Sequence, residues 1–182
     1  MRVIEASRTI NIPEDVEVNL EGRIVTVKGE KGQLERDFSF APLEIKREDK
    51  AIIVKSNWAR KKEAALVGTI ASHIQNMITG VTKGYACKLK IVFSHFPISV
   101  KTQDDKILIE NFTGERGPRI AKKIGDVKVI VKGEDVIVQG IDLESVSQTA
   151  TNIENATKVK RKDPRIFLDG LYVYERTEGI EQ

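Results

Sequence analysis

The chain has 182 residues, of which 40% are hydrophobic, 31% are charged and 5% are aromatic, and its formal net charge is +3. This length accommodates two domains of roughly 80–100 residues each. The net charge is too small to mark the whole chain as a nucleic-acid binder, so any basic surface must arise from local clusters of cations. No stretch is apolar for long enough to form a transmembrane helix, so we expect no membrane association. The single cysteine excludes an internal disulfide framework and suits a reducing cytosol.

Short alternating apolar segments in the first half predict strands separated by turns. The predicted strands are 8–12, 16–20, 24–27, 34–40, 43–45 and 52–54. The first is expected at a sheet edge because Pro13 closes it. A helix is predicted at 59–78, with Ser56 and Asn57 as possible caps and Gly80 as its end. Residues 79–84 are then predicted to form a linker.

The second half repeats this order of elements. Its predicted strands are 85–93, 98–100, 107–109, 127–131 and 136–138. A helix follows, because Asp142 is a suitable N-cap and Leu143, Val146, Ala150 and Ile153 recur at helical spacing.

Three pairs of markers support an internal duplication, since they occur in the same order at nearly constant offsets. They are Gly29–Gly32 with Gly114–Gly117, Asp49 with Asp135, and Ile74 with Ile153. A rival ungapped match of 16–29 with 127–140 has more local identities but leaves the rest of the first copy without a counterpart. We therefore predict an α+β fold of two tandem similar domains, 1–82 and 83–182, each an antiparallel β-sheet packed against one α-helix.

The usual catalytic and cofactor motifs are missing from the sequence. No Cys/His spacing suits zinc, and neither a P-loop nor a Gly-x-Gly-x-x-Gly motif occurs, so we expect no metal and no cofactor. Cys87 lies on the apolar face of a predicted strand, which favours a core residue over a nucleophile. One enzymatic alternative stays open, a small hydrolase that uses Asp104 or Asp105 with His95.

Two stretches of the second copy concentrate positive charge. Five cations fall within eight residues, followed by aromatic residues: Lys158, Lys160, Arg161, Lys162 and Arg165, then Phe167, Tyr172 and Tyr174. The Gly114–Gly117 stretch, whose backbone amides could cradle a phosphate, contributes four more cations: Arg116, Arg119, Lys122 and Lys123. Together they favour a folded RNA that is read by its phosphates and shape. The alternative is a protein–protein scaffold whose basic stretch is merely solvated.

The residues of the last stretch also resemble a known signature. The run Arg165-x-Phe167-x-Asp169-Gly170-Leu171-Tyr172, with Lys162 before it and Arg176 after it, is similar to the C-terminal signature of the L-six family of large-subunit ribosomal proteins in its archaeal and eukaryotic form. Ser94 to Pro97 and Glu110 to Glu115 resemble the same family. Asn155 departs from it, since the family pattern usually has Gln there.

The resemblance implies a non-catalytic structural protein of the large ribosomal subunit, located in the cytoplasm on the ribosome. Its C-terminal domain would bind large-subunit rRNA near the sarcin–ricin loop and the stalk base, with translational GTPases nearby and other large-subunit proteins as neighbours. Carried onto this chain, the expected rRNA contacts are the cations of 116–123 and 158–165, with Arg176 as a secondary contact. At least one of Phe167, Tyr172 and Tyr174 is expected to pack in the core.

Overall fold

The structure, a computed structural model, describes residues 5–57, 59–94, 96–160, 162–163 and 165–180. The chain divides into two compact units between Lys83 and Gly84. The first unit contains β1 (Glu5–Asn11), β2 (Glu17–Glu21), β3 (Ile24–Gly29), β4 (Gly32–Asp37), β5 (Glu44–Glu48), β6 (Ala51–Asn57) and α1 (Lys61–Thr82). The second contains β7 (Tyr85–Val92), β8 (Ser99–Gln103), β9 (Lys106–Glu110), β10 (Arg119–Lys122), β11 (Lys128–Lys132), β12 (Asp135–Gly140), α2 (Leu143–Ala156) and β13 (Gly170–Glu178). No helix in these ranges is long and apolar enough to cross a bilayer.

Sheet order confirms the predicted α+β duplication in its colinear form. The first unit has sheets β1-β6-β5 and β2-β3-β4, and the second has β11-β12-β7-β13 and β10-β9-β8. Strand by strand, β1 to β6 match β7 to β12, and every pairing among the described strands is antiparallel. Each unit thus carries two small sheets where the sequence suggested one. The unmatched strand is β13, which pairs with the free side of β7.

Helix α1 differs from its prediction at both ends. Ser56 and Asn57 belong to β6, and the N-cap is Arg60, whose backbone amide donates to the Glu63 carboxylate at 2.7 Å. At the other end the helix runs through Gly80 to Thr82, so most of the predicted linker is helical. Val81 explains this extension because it is fully buried, and a Cβ on Gly29 would lie 2.8 Å from its Cγ2 atom. Burial of Val81 outweighs the helix-breaking tendency of glycine, which is only about 1 kcal/mol.

Helix α2 forms as predicted, from a local signal. Its N-cap Asp142 accepts hydrogen bonds from the amides of Glu144 at 3.3 Å and Ser145 at 3.0 Å. These bonds satisfy two of the amides that a helix start leaves without partners. The apolar stripe from Val146 to Ile153 packs into the core of the second unit.

Each unit has its own hydrophobic core. The core of the first unit centres on Phe38, Ile70 and Ile74, and that of the second centres on Leu89 and its neighbours on β9, β12 and α2. Cys87 belongs to the second core and is 2% exposed, which confirms its prediction as a core residue. Burial raises the pKa of its thiol, although Arg176 nearby opposes that shift.

We expect Cys87 to resist thiol reagents in the folded protein. Labelling of the native chain by a disulfide reagent at pH 8 should be at least about a hundredfold slower than in guanidinium chloride, because only opened molecules expose the thiolate. Mass spectrometry of both samples measures the two rates. Equal rates would show that the thiol is accessible in the native fold.

Candidate nucleic-acid interface

Residues 158–169 connect α2 to β13 and are here called the basic loop; Lys158, Lys160, Lys162 and Arg165 lie in it. Two contacts fix its ends, one at the C-terminus of α2 and one just after β7. The amide of Leu171 donates to the Thr157 hydroxyl at 3.0 Å, and Thr157 is buried. The buried Asp169 carboxylate accepts hydrogen bonds from the amide of Ser94 at 2.5 Å and from its hydroxyl at 3.2 Å. The sequence suggested strand-like residues on both sides of Asp169-Gly170, but the strand begins only at Gly170.

Asp163 organises the middle of the basic loop. Its carboxylate accepts a hydrogen bond from the Arg165 amide at 2.9 Å, and its carbonyl accepts one from the Phe167 amide at 3.0 Å. The ammonium of Lys162 lies 4.4 Å from the centroid of the Phe167 ring, a cation–π contact. The one acidic residue among these cations therefore shapes the turn that presents them.

The cations of the basic loop face solvent. Lys158, Lys160, Lys162 and Arg165 are all exposed, and none of them has a carboxylate within 4.0 Å among the residues that the structure describes. Arg161, the fifth predicted contact, lies outside the described residues. Unpaired cations on an ordered loop are suited to bind phosphates, because little internal attraction must be broken first.

The second basic stretch lies beside the first. Residues 114–117, here called the glycine loop, follow a short 3-10 turn at Phe112–Gly114, and Gly114 has a φ of +77°. Phe96 packs on Gly114, whose added Cβ would lie 3.3 Å from the ring. Arg116 is exposed. The Glu115 carboxylate of the glycine loop and the Lys158 carbonyl of the basic loop both accept hydrogen bonds from Arg119, so the two loops are close in space.

Arg119 connects the two loops, but with its guanidinium turned inward. It donates to both oxygens of the Glu115 carboxylate, from Nε at 2.9 Å and from Nη2 at 2.5 Å. Nη1 donates to the carbonyls of Ala156 at 2.8 Å and Lys158 at 3.1 Å. The hydrogen bonds from Arg119 are the main reason that the pKa of Glu115 lies below its ordinary value. These contacts favour a role inside the protein over the direct rRNA contact predicted for Arg119.

The other predicted residues are more dispersed. Lys122, the last residue of β10, is exposed, and Lys123 after it is half-buried. The side-chain Nδ2 of Asn152 on α2 donates to the Lys122 carbonyl at 2.9 Å. Arg176 lines a groove along α2 that also includes the acidic residues Asp142 and Glu144. Its surroundings are therefore less basic than those of the two loops.

The aromatic residues do not enter the core as expected. Tyr172 and Tyr174 on β13 are 43% and 54% exposed, and Phe167 is half-buried outside the core cluster. A bulge between Val173 and Glu175 interrupts the pairing of β13 with β7, which changes the facing of residues along the strand. The hydroxyl of Tyr174 instead donates to Asp135 at 3.3 Å.

Two of the three proposed hydrolase residues can be placed in the structure. Asp104 and Asp105 are exposed in the turn between β8 and β9, and His95 lies outside the described residues. Sequence reasoning also missed three residues that organise the basic surface, namely Phe112, Glu115 and Thr157. No sequence signal marked the pair of Glu115 and Arg119, because a spacing of four residues brings side chains together on a helix, whereas this segment is a loop that leads into β10.

Comparison with known proteins finds relatives that match nearly the whole chain. A sequence model of the family described as Ribosomal protein L6 matches residues 12–84 and 96–170. Large ribosomal subunit protein uL6 of Aeropyrum pernix is 56% identical over 168 residues, which cover 92% of each chain. The protein of the same name from Staphylothermus marinus is 57% identical over 170 residues, covering 91% of this chain and 92% of its own. That from Desulfurococcus amylolyticus is 51% identical over 182 residues, covering 98% of this chain and 99% of its own.

Proposed function

This chain belongs to the ribosomal protein L6 family, and on that basis we propose that the basic loop and the glycine loop attach it to large-subunit rRNA. As a member of the family it is a structural constituent of the large subunit in the cytoplasmic ribosome, and it is not an enzyme. The finer assignment is which residues bind rRNA and where they bind.

The exposed, unpaired cations of the basic loop are the observation that carries this proposal. The residues proposed to contact rRNA phosphates are Arg116, Lys122, Lys123, Lys158, Lys160, Arg161, Lys162 and Arg165, with Arg176 as a secondary contact. Phosphate contacts of this kind supply affinity and orientation without reading base sequence. Double-stranded RNA is recognised in the same way, by its shape and its backbone.

The site in the ribosome is part of the proposal. The second unit would sit near the sarcin–ricin loop and the stalk base, so that translational GTPases dock close by. The first unit, which has no counterpart to the basic loop between α1 and β7, would face neighbouring large-subunit proteins. The domain boundary proposed from the sequence, 82/83, separates these two roles.

Filter binding of the full chain to large-subunit rRNA fragments tests the proposal. With five or six phosphate contacts, log K should fall with log salt with a slope of roughly −5. Unlabelled rRNA fragments should displace the labelled ones, whereas an equal mass of polyuridine should not. A slope near zero would instead favour the protein–protein scaffold, whose basic residues are only solvated.

A further inference from the structure

The guanidinium of Arg119 is almost fully used inside the protein. An arginine has five N–H donors, and four of those of Arg119 go to the Glu115 carboxylate and to the carbonyls of Ala156 and Lys158. Its Cζ also lies 4.1 Å from the centroid of the buried Phe112 ring. Only one donor remains for a ligand. A residue whose purpose is to contact phosphate would keep its fork of donors free.

The two carbonyls mark the start of the basic loop. Ala156 is the last residue of α2, and Lys158 is the first residue of the basic loop. The last turn of α2 contains no basic residue, so Arg119 supplies from β10 the positive charge that stabilises a helix C-terminus. The same guanidinium therefore ends the helix and fixes the direction in which the chain leaves it.

Glu115 gives Arg119 its orientation. The bidentate pair fixes the plane of the guanidinium, and the cation–π contact with the Phe112 ring helps to hold it in place. Glu115 is part of the glycine loop, so its carboxylate ties that loop to the start of the basic loop through a single arginine. A carboxylate on a phosphate-binding face repels the phosphates. Its hydrogen bonds to Arg119 give Glu115 a structural role that offsets this repulsion.

We propose that Arg119, oriented by Glu115 and Phe112, is a positioning residue that orders the basic loop and joins it to the glycine loop for rRNA binding. This inference rests on the proposed function. Ordering the basic loop before binding reduces the conformational entropy that binding must remove. The pair therefore strengthens rRNA binding although neither residue contacts rRNA.

The variants Glu115→Ala and Arg119→Lys separate this role from a direct phosphate contact. If Glu115 and Arg119 position the basic loop, each variant should bind rRNA fragments about tenfold more weakly than the unchanged chain, which is the effect of losing a charge-assisted hydrogen bond. The salt slope should stay unchanged, and trypsin should cleave native protein faster after Lys158, Lys160, Lys162 or Arg165. As a direct contact, Arg119→Lys would keep most of the affinity, and Glu115→Ala would tighten binding by removing a negative charge.

Asp126→Asn is the matched control, since it removes an exposed carboxylate from the same unit. It should leave binding unchanged or slightly tighter, with wild-type trypsin resistance. If Glu115→Ala behaves like this control, the positioning role is overturned. The trypsin measurement needs no RNA, so it decides the order of the basic loop even if the wild-type chain lacks salt-sensitive rRNA binding, a result that would overturn the proposed function alone.

Discussion

Reversing two charges of the basic loop, Lys160→Glu with Arg165→Glu, is expected to weaken binding to large-subunit rRNA by on the order of a hundredfold or more. Two phosphate contacts are lost, and two carboxylates are placed against the RNA backbone. The magnitude of the salt slope should fall by about 2, since each duplex phosphate contact contributes about 0.9. Filter binding at several salt concentrations measures both quantities.

The fold should be unaffected by this double variant. Both side chains are exposed, so the free energy of unfolding should change by less than about 0.5 kcal/mol. The control is Lys28→Glu with Lys31→Glu, which makes the same change in net charge on exposed residues of the first unit. Equal losses in both double variants would mean that net charge, rather than the basic loop, determines binding.

Truncating the core of the first unit, Phe38→Ala, is expected to destabilise that unit by about 3–5 kcal/mol. Phe38 is 1% exposed, and its loss would leave a cavity beneath β4 and α1. The two cores share no member among the described residues, so the second unit should keep its stability. Hydrogen–deuterium exchange measures this directly. The free energy of opening of the α1 amides should fall by about 3–5 kcal/mol, and that of the α2 amides should not change.

Binding to rRNA should survive Phe38→Ala under conditions where the second unit is folded, because the proposed contacts all lie in that unit. Phe40→Ala is the matched control, since that ring is 72% exposed and its removal should change stability by less than about 0.5 kcal/mol. Faster exchange throughout both units after Phe38→Ala would contradict the proposal that they are independent domains.

Most strands and α2 were predictable because their signals are local. Alternating apolar residues identified the hairpin of β11 and β12, and Asp142 marked the start of α2. The prediction of α1 was wrong at its end because the deciding contact is distant in sequence. Gly80 favours termination locally, but burying Val81 against Gly29 extends the helix. Val81 does stand at helical spacing from Ile74 and Ile78, so the apolar period was present in the sequence, but only the contact with Gly29 shows that it outweighs Gly80.

The candidate site shows the same division between local and distant information. The charge of the basic loop is visible in the sequence, since its five cations fall within eight residues. The inward orientation of Arg119 is not, because its carbonyl partners lie 37 and 39 residues away. Counting cations therefore locates the basic stretch but cannot separate its exposed cations from Arg119, whose donors are used inside the protein.

The last carbonyls of a helix need hydrogen-bond donors from outside the helix, and the two units supply one such donor in different ways. In the first unit the backbone amide of Lys31 donates to the Val81 carbonyl at 3.0 Å, and in the second the Arg119 side chain donates to the Ala156 carbonyl at 2.8 Å. A main-chain donor must bring its own backbone against the helix, so the turn between β3 and β4 is held short. A long side chain reaches the helix from a distance, which frees residues 111–118 to form an extended connection. When a side chain replaces a backbone amide as the donor to the end of the helix, the connection beside it can lengthen. A duplicated fold can in this way form a new surface in only one of its copies.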